Sequence, residues 1–206
     1  MKGKENANII LTSNGFHNRS QRSKEIDEMF KKVAKGKKVV LILNATKSGS
    51  NVSNIEDVRE NFERIEAKVV HKLTINENNV SEIFKYDVIY TMGGDIRILI
   101  DDFLEYNFEI YLRKFLEKGI YIGESAGAMV LCDNLEWVWT IKKGTKPKYN
   151  VLPKTFHGLN LIEQKIYPHY NKVSKEQKVK IDNYEKTNNV EITKLNDGEF
   201  ISIQYD

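Results

Sequence analysis

The stretch Tyr121-Ile-Gly-Glu-Ser-Ala-Gly-Ala128 carries residue types that can make and break acyl bonds. Ser125 stands in a Gly-x-Ser-x-Gly pentapeptide. The apolar run Gly119-Ile-Tyr-Ile122 precedes it, and Ala128-Met-Val-Leu131 follows. This order reads as strand, sharp turn and helix, the form of a nucleophile elbow. Gly123 and Gly127 lack a Cβ, so strand and helix can approach closely. The Ser125 hydroxyl would then stand at the carboxyl edge of a sheet. A helix beginning at Ala126 would point N–H groups toward a developing negative charge. The Ala126 amide offers one oxyanion donor. Gly94, in Gly93-Gly94 at the end of an earlier strand, offers a second.

A serine nucleophile needs a base, and the chain has four histidines. His71 falls inside a strand and reads as structural. His17 falls in a polar loop and reads as solvated. His157, in Thr155-Phe-His-Gly158, looks like a turn. His169 ends an apolar run stopped by Pro168, in Ile166-Tyr-Pro-His-Tyr170, where it is well placed to meet a serine at a sheet edge. As neutral imidazole it would take the hydroxyl proton and later return it to the leaving group.

The elements that must position these residues follow from periodicity. Asn8–Thr12, Lys38–Leu43, Ala67–Leu73, Tyr86–Thr91 and the run into Ser125 read as five strands. The second is apolar after its first residue, as in a parallel strand covered on both faces. Helical faces fall between them: Ile26, Met29, Phe30 and Val33; Val58, Phe62 and Ile65 after a capping box at Ser53–Glu56; Phe108, Tyr111, Leu112, Phe115 and Leu116. Ser13-Asn-Gly15 turns the chain after the first strand. Five strand–helix alternations before residue 132 predict a parallel sheet wound on both faces, with a site outside the carboxyl ends of its strands. Lys142–Lys148 reads as an exposed basic loop. Two short strands, Val190–Thr193 and Glu199–Ile203, close the chain as a hairpin around the turn Asn196-Asp-Gly198.

The chain has 206 residues, enough for one well-buried domain spanning 1–206. Its net charge of +3, from 32 basic and 29 acidic residues, is too small and too evenly mixed to argue for nucleic acid. No apolar run reaches the roughly 20 residues that span a membrane. The N-terminus lacks the apolar segment of a signal peptide, and the single Cys132 suits a reducing compartment, so a cytoplasmic location is expected. No His/Cys/Asp cluster has metal-ligand spacing, and no metal or cofactor is expected.

Four stretches together carry a resemblance: Thr91-Met-Gly-Gly-Asp95, Tyr121–Ala128, Gly158-Leu-Asn-Leu161 and Tyr167-Pro-His-Tyr170. In this order and spacing the chain resembles the peptidase E family of serine peptidases, which includes aspartyl dipeptidases and, more distantly, cyanophycinases. The likeness runs from the first strand to the last. It implies a three-layer α/β sandwich with a mostly parallel central sheet, class I glutamine amidotransferase-like (flavodoxin-like). It implies Ser125 as nucleophile, His169 as base, Gly94 and Ala126 as the oxyanion hole, and a small peptide as substrate.

Three departures accompany the resemblance. The family's acid lies after the elbow in a Thr-x-Asp-like stretch, which here aligns with Trp139-Thr-Ile-Lys-Lys143. Asp133, Glu136, Glu163 and Glu124 stand as alternative carboxylates. The family's Gly-Gly-Asn-Thr appears as Gly93-Gly-Asp-Ile96, which puts a charge beside the oxyanion donors. The aspartyl dipeptidases' arginine after the Pro-His element is replaced by Lys175, which keeps the charge but loses the bidentate fork. The leading reading is a serine peptidase acting on small peptides through an acyl-enzyme. The alternative is a catalytically weakened member that binds a peptide or small molecule. A glutaminase is a third reading, with Cys132 about two helical turns beyond the elbow. An edge strand near the C-terminus would allow pairing into a homodimer.

Overall fold

The computed structural model describes residues 7–16, 23–47 and 52–205. His17 lies outside them, as does the side chain of Ser53. Five strands, β1 (Ile9–Thr12), β2 (Lys38–Ile42), β3 (Val69–Leu73), β4 (Val88–Thr91) and β5 (Ile120–Glu124), run parallel in the order β3-β2-β4-β5-β1. A separate two-stranded parallel sheet pairs β6 (Lys165–Tyr167) with β7 (Ile192–Lys194). The last strand, β8 (Phe200–Ile203), returns to the main sheet antiparallel to β1 and forms its edge.

Alternation along the strands sends side chains to two opposed cores. Val39 and Leu41 of β2 join Tyr90, Ile122 and the helices α1 (Lys24–Ala34) and α2 (Val52–Arg64) through Ile26, Phe30, Val58 and Phe62. Val40 and Ile42 face the other way. They join Ile89, Tyr121 and the helices α3 (Ile96–Glu105) and α4 (Phe108–Leu116) through Leu99, Phe103, Phe108 and Leu112. The result is the three-layer sandwich expected from the alternating pattern. Three further helices, α5 (Ala126–Met129), α6 (Glu136–Lys142) and α7 (Lys175–Asn188), complete the chain. Among the described residues, no helix is long and apolar enough to cross a membrane.

Local signals place several helix ends. Ser23 caps α1 by accepting from the Ile26 amide, and Ser174 caps α7 by accepting from the Gln177 amide. Ser53 lies within α2, which starts one residue earlier, so it is not the cap that its spacing to Glu56 suggests.

Three elements differ from the sequence reading. Helix α3 fills the interval that the pattern leaves between Gly94 and Phe108. Its cap is Asp95, whose side chain accepts from the Arg97 amide. The Lys142–Lys148 stretch is not wholly loop: Lys142 ends α6 and lies over the Tyr149 and Tyr167 rings, at 5.4 and 4.5 Å from their centroids. The two closing strands do not pair with each other. β7 belongs to the small sheet and β8 to the large one, so Asn196-Asp-Gly198 is a crossing between sheets.

An aromatic cluster lies between the sheet and helices α1 and α2. Phe16 and Phe30 stack at 4.1 Å, and Phe62 meets Phe16, Phe30 and Tyr90 edge-on at 5.0, 5.7 and 5.4 Å. Phe62 is fully buried. Phe62→Ala should therefore lower the unfolding free energy by about 3–5 kcal/mol, the usual cost of emptying a buried aromatic site. Urea denaturation of the two proteins checks this.

Candidate active site

Strand β5 delivers Ser125 to the carboxyl edge of the sheet in an unusual backbone conformation, φ 49° and ψ −101°. A non-glycine residue at positive φ is strained, by about 1–3 kcal/mol, and is held only by its surroundings. Those surroundings are explicit. The Ser125 amide donates to the Thr12 carbonyl at 3.0 Å, and its carbonyl accepts from the Ala128 and Met129 amides. The glycines beside it are required by close approach. A Cβ on Gly123 would stand 2.4 Å from the Gly127 carbonyl oxygen, and one on Gly127 would stand 2.5 Å from the Thr91 oxygen.

The histidine expected to meet this serine does so. His169 follows β6 and Pro168, also with a left-handed backbone at φ 61°. Its Nε2 lies 3.0 Å from Ser125 Oγ. Its Nδ1 lies 2.7 Å from Asp197 Oδ1. With a proton on Nδ1 donated to that carboxylate, Nε2 is left as the acceptor for the serine hydroxyl. His71 instead contacts the Tyr86 hydroxyl at 2.7 Å on the edge strand β3, and His157 is exposed in an isolated antiparallel bridge to Asn134 rather than in the turn expected of it.

Asp197 is the residue that sequence reasoning missed. Of the four carboxylates offered in its place, Asp133 pairs with Lys165, and Glu136 and Glu163 are exposed. Glu124 is buried and accepts from the Tyr90 hydroxyl at 2.7 Å. The Trp139–Lys143 stretch forms most of α6 and its C-cap. Asp197 comes from the crossing Asn196-Asp-Gly198. The only local signal there is turn chemistry, which conceals an acid among residue types that turns favour anyway.

The Asp197 side chain is 3% exposed. Burial alone would disfavour its charge. Donors from His169 and Lys172, with the Ser13 hydroxyl, outweigh that and hold the carboxyl well below the usual carboxylate range. The Lys172 ammonium lies 2.5 Å from Oδ2. Ser13 Oγ donates to Oδ1 at 2.8 Å.

The two residues expected to offer oxyanion donors, Gly94 and Ala126, follow β4 and open α5. Gly94 has φ 152°, and a Cβ there would stand 2.2 Å from the Ala45 carbonyl oxygen. A Cβ on Gly93 would stand 3.1 Å from Ser125 Cβ, so this loop runs against the elbow. Ala126 opens α5, where the first amides have no partner within the helix. The charge on Asp95 is engaged: Arg97 Nη2 lies 2.8 Å from Oδ2, and Arg97 Nε donates to Oδ1 at 3.2 Å. Lys175 is the exposed first residue of α7, which follows the His169 turn. Cys132 is fully buried, its thiol donates to the Gln164 carbonyl, and burial pushes it up to about 12. Such a thiol is not a nucleophile at neutral pH.

A sandwich sheet edge that bears a strained serine with an imidazole at its hydroxyl defines the serine-hydrolase class of site. The chain belongs to peptidase family S51, whose model matches residues 9–206, and it is a serine-type peptidase. It is 28% identical to the uncharacterized peptidase Lmo0363 of Listeria monocytogenes serovar 1/2a over 147 residues, 69% of this chain and 70% of that one. It is 27% identical to the uncharacterized peptidase PM1590 of Pasteurella multocida over 159 residues, 73% and 74% of the two chains. The fold matches that of a candidate peptidase E protein from L. monocytogenes EGD-e, with a TM-score of 0.72 at 21% identity over 96% of this chain and 94% of the other. It also matches a peptidase from an acI-B1 actinobacterium, with a TM-score of 0.60 at 18% identity over 84% and 74%.

The depressed titration of Asp197 has a consequence for stability. A carboxyl whose folded pKa is lowered stabilises the fold above its unfolded value, near 3.9, and loses that contribution as pH falls toward the folded value. Asp197→Asn should therefore melt below the wild type at pH 7. The gap should close on acidification below pH ~4. Thermal melts of both proteins across this range check it.

Proposed function

We propose that the protein hydrolyses small peptides, dipeptides among them, through an acyl-enzyme on Ser125 with His169 as general base. The observation that carries this reading is the Ser125 Oγ–His169 Nε2 contact of 3.0 Å, backed by the 2.7 Å contact from Nδ1 to Asp197. His169 takes the hydroxyl proton as Oγ attacks the substrate carbonyl. The Gly94 and Ala126 amides receive the oxyanion. The imidazolium, steadied by Asp197, passes its proton to the departing amine. Water then attacks the acyl carbonyl as it gives a proton to His169, and His169 passes that proton to Ser125 Oγ as the ester bond breaks and the carboxylic acid leaves.

A binding-only role would follow from a missing acid or from a charge aimed at the oxyanion donors. The Asp197 contact and the Asp95–Arg97 pair support the catalytic reading instead. Lys175 is proposed to face the substrate as a point charge for a carboxylate, and its exposure at the start of α7 is compatible with that role. The buried, unpaired Cys132 thiol suits a cytoplasmic enzyme.

The test is turnover of Asp-Leu, Glu-Leu, Ala-Leu and Gly-Leu by the wild type, Ser125→Ala and His169→Ala. The wild type should cleave at least one. Each variant should lose about 10³-fold or more in kcat. A serine-directed phosphonate should label the wild type and not Ser125→Ala. No turnover and no labelling of folded wild type would sink the proposal. Lys175→Ala should raise KM for acidic dipeptides alone, and an equal effect on Ala-Leu would remove its role.

A further inference from the structure

We infer that Ser13 is a positioning residue for this site, joining the backbone that carries the base to the carboxylate that orients it. The inference rests on the catalytic reading above and names a residue that never touches the reacting atoms.

Ser13 follows the last residue of β1 and is completely buried. Its hydroxyl is used twice. Oγ accepts from the His169 backbone N–H at 2.7 Å and donates to Asp197 Oδ1 at 2.8 Å. One hydroxyl thus spans 156 residues of chain to the base and 184 to the acid. The same Asp197 oxygen also faces His169 Nδ1. Ser13 Oγ, the His169 amide, the imidazole and the carboxylate therefore form a closed ring of contacts.

Neighbouring contacts fix the two turns to the same strand end. Asn14 Oδ1 accepts from the Gly198 amide at 2.8 Å. Asn171 Oδ1 accepts from the Asp197 amide at 3.0 Å, and the Ser23 hydroxyl donates to the Gly198 carbonyl. These contacts hold the backbone of the acid's turn. The Ser13 hydroxyl couples the carboxylate itself to the backbone of the histidine. The left-handed His169 backbone makes that coupling matter, since its amide partner helps hold a conformation that few residues adopt unaided. The Ser13-Asn-Gly15 turn is thereby the meeting point of three elements as well as the end of a strand.

Replacing Ser13 with Ala leaves a buried N–H without its acceptor and a carboxylate short of one donor. The imidazole then loses alignment while the substrate pocket keeps its walls. The expected result is a fall in kcat of about 10–100-fold, the scale of an ångström-sized misplacement. KM should change by less than about threefold, because ground-state binding is untouched.

The experiment compares wild type, Ser13→Ala, Ser13→Thr and Ser13→Cys, with Ser125→Ala as the reference for lost chemistry. Three quantities are read on folded protein: kcat, KM and the low-field proton NMR resonance of the His169 Nδ1–H held by Asp197. Ser13→Ala should lose kcat, keep KM and broaden or lose the resonance. Ser13→Thr should restore the activity and the signal, and Ser13→Cys, with a weaker donor, should fall between. Should Ser13→Ala not fold, the Ser13→Thr and Ser13→Cys pair carries the same comparison. A lowered melting temperature with kcat within twofold of wild type and an unchanged resonance would assign Ser13 a purely structural role and overturn the inference. Absence of the resonance in wild type would overturn it too. If Ser125→Ala turned over peptides normally, the catalytic reading would fall. The resonance would still judge the Ser13 ring by itself.

Discussion

The site depends on one backbone constraint: Ser125 must hold a positive φ at the junction of β5 and α5. A short strand and a four-residue helix cannot impose this alone. It is imposed by neighbours that leave no room for relaxation. The Thr12 carbonyl binds the Ser125 amide, so β1 extends its pairing with β5 into the turn. The Tyr121 hydroxyl donates to the Gly127 carbonyl from within the core. Gly123 and Gly127 let the two backbones touch where any Cβ would collide. The strain is thus held by sheet pairing and packing, both remote from the hydroxyl that benefits.

Charge near the nucleophile is arranged so that each carboxylate has a specific partner. Glu124 adjoins Ser125 in sequence, yet it is buried against the Tyr90 hydroxyl, which itself accepts from the Phe16 amide. Asp95 is committed to the first turn of α3 and to Arg97. Among the described residues it is Asp197 that lies against the histidine. In a low-dielectric interior an unpaired carboxylate is costly, and one aimed at the oxyanion donors would oppose the developing charge.

The histidine and its carboxylate follow two paired strands of the small sheet. His169 comes at the end of β6 in the small sheet. Asp197 comes from the crossing between β7 in that sheet and β8 in the large one. Their meeting follows from the β6–β7 pairing, which sets Tyr167 beside Lys194, and their approach to Ser125 from the docking of that sheet on the large one. The end of β1 supplies the common anchor, through the buried pair Ser13 and Asn14. The function is distributed over strand termini that are far apart in the chain, as a site at the carboxyl edge of a wound parallel sheet requires.

Local chemistry was legible in the sequence where one short segment contains its own physical cause. The elbow follows from an apolar strand, two glycines and a small-residue helix start. The alternating strand pattern follows from burial on both faces. His169 follows from an apolar run halted by proline, and Gly94 from a strand end that tolerates no side chain. Helix α3 escaped because its cap, Asp95, looks like an altered motif residue until its bonds to Arg97 are seen. Asp197 and Ser13 escaped for a deeper reason. Each sits in a Ser/Asn/Asp/Gly turn whose composition explains itself locally, and each gains its role only across 28 to 184 residues of chain. Residue type and spacing therefore picked out the serine, the histidine that meets it and the layered fold. Which carboxylate meets His169 was decided by the pairing of β6 with β7, and which hydroxyl joins the two by how that sheet docks on the end of β1, because such contacts have no periodicity and no spacing to read.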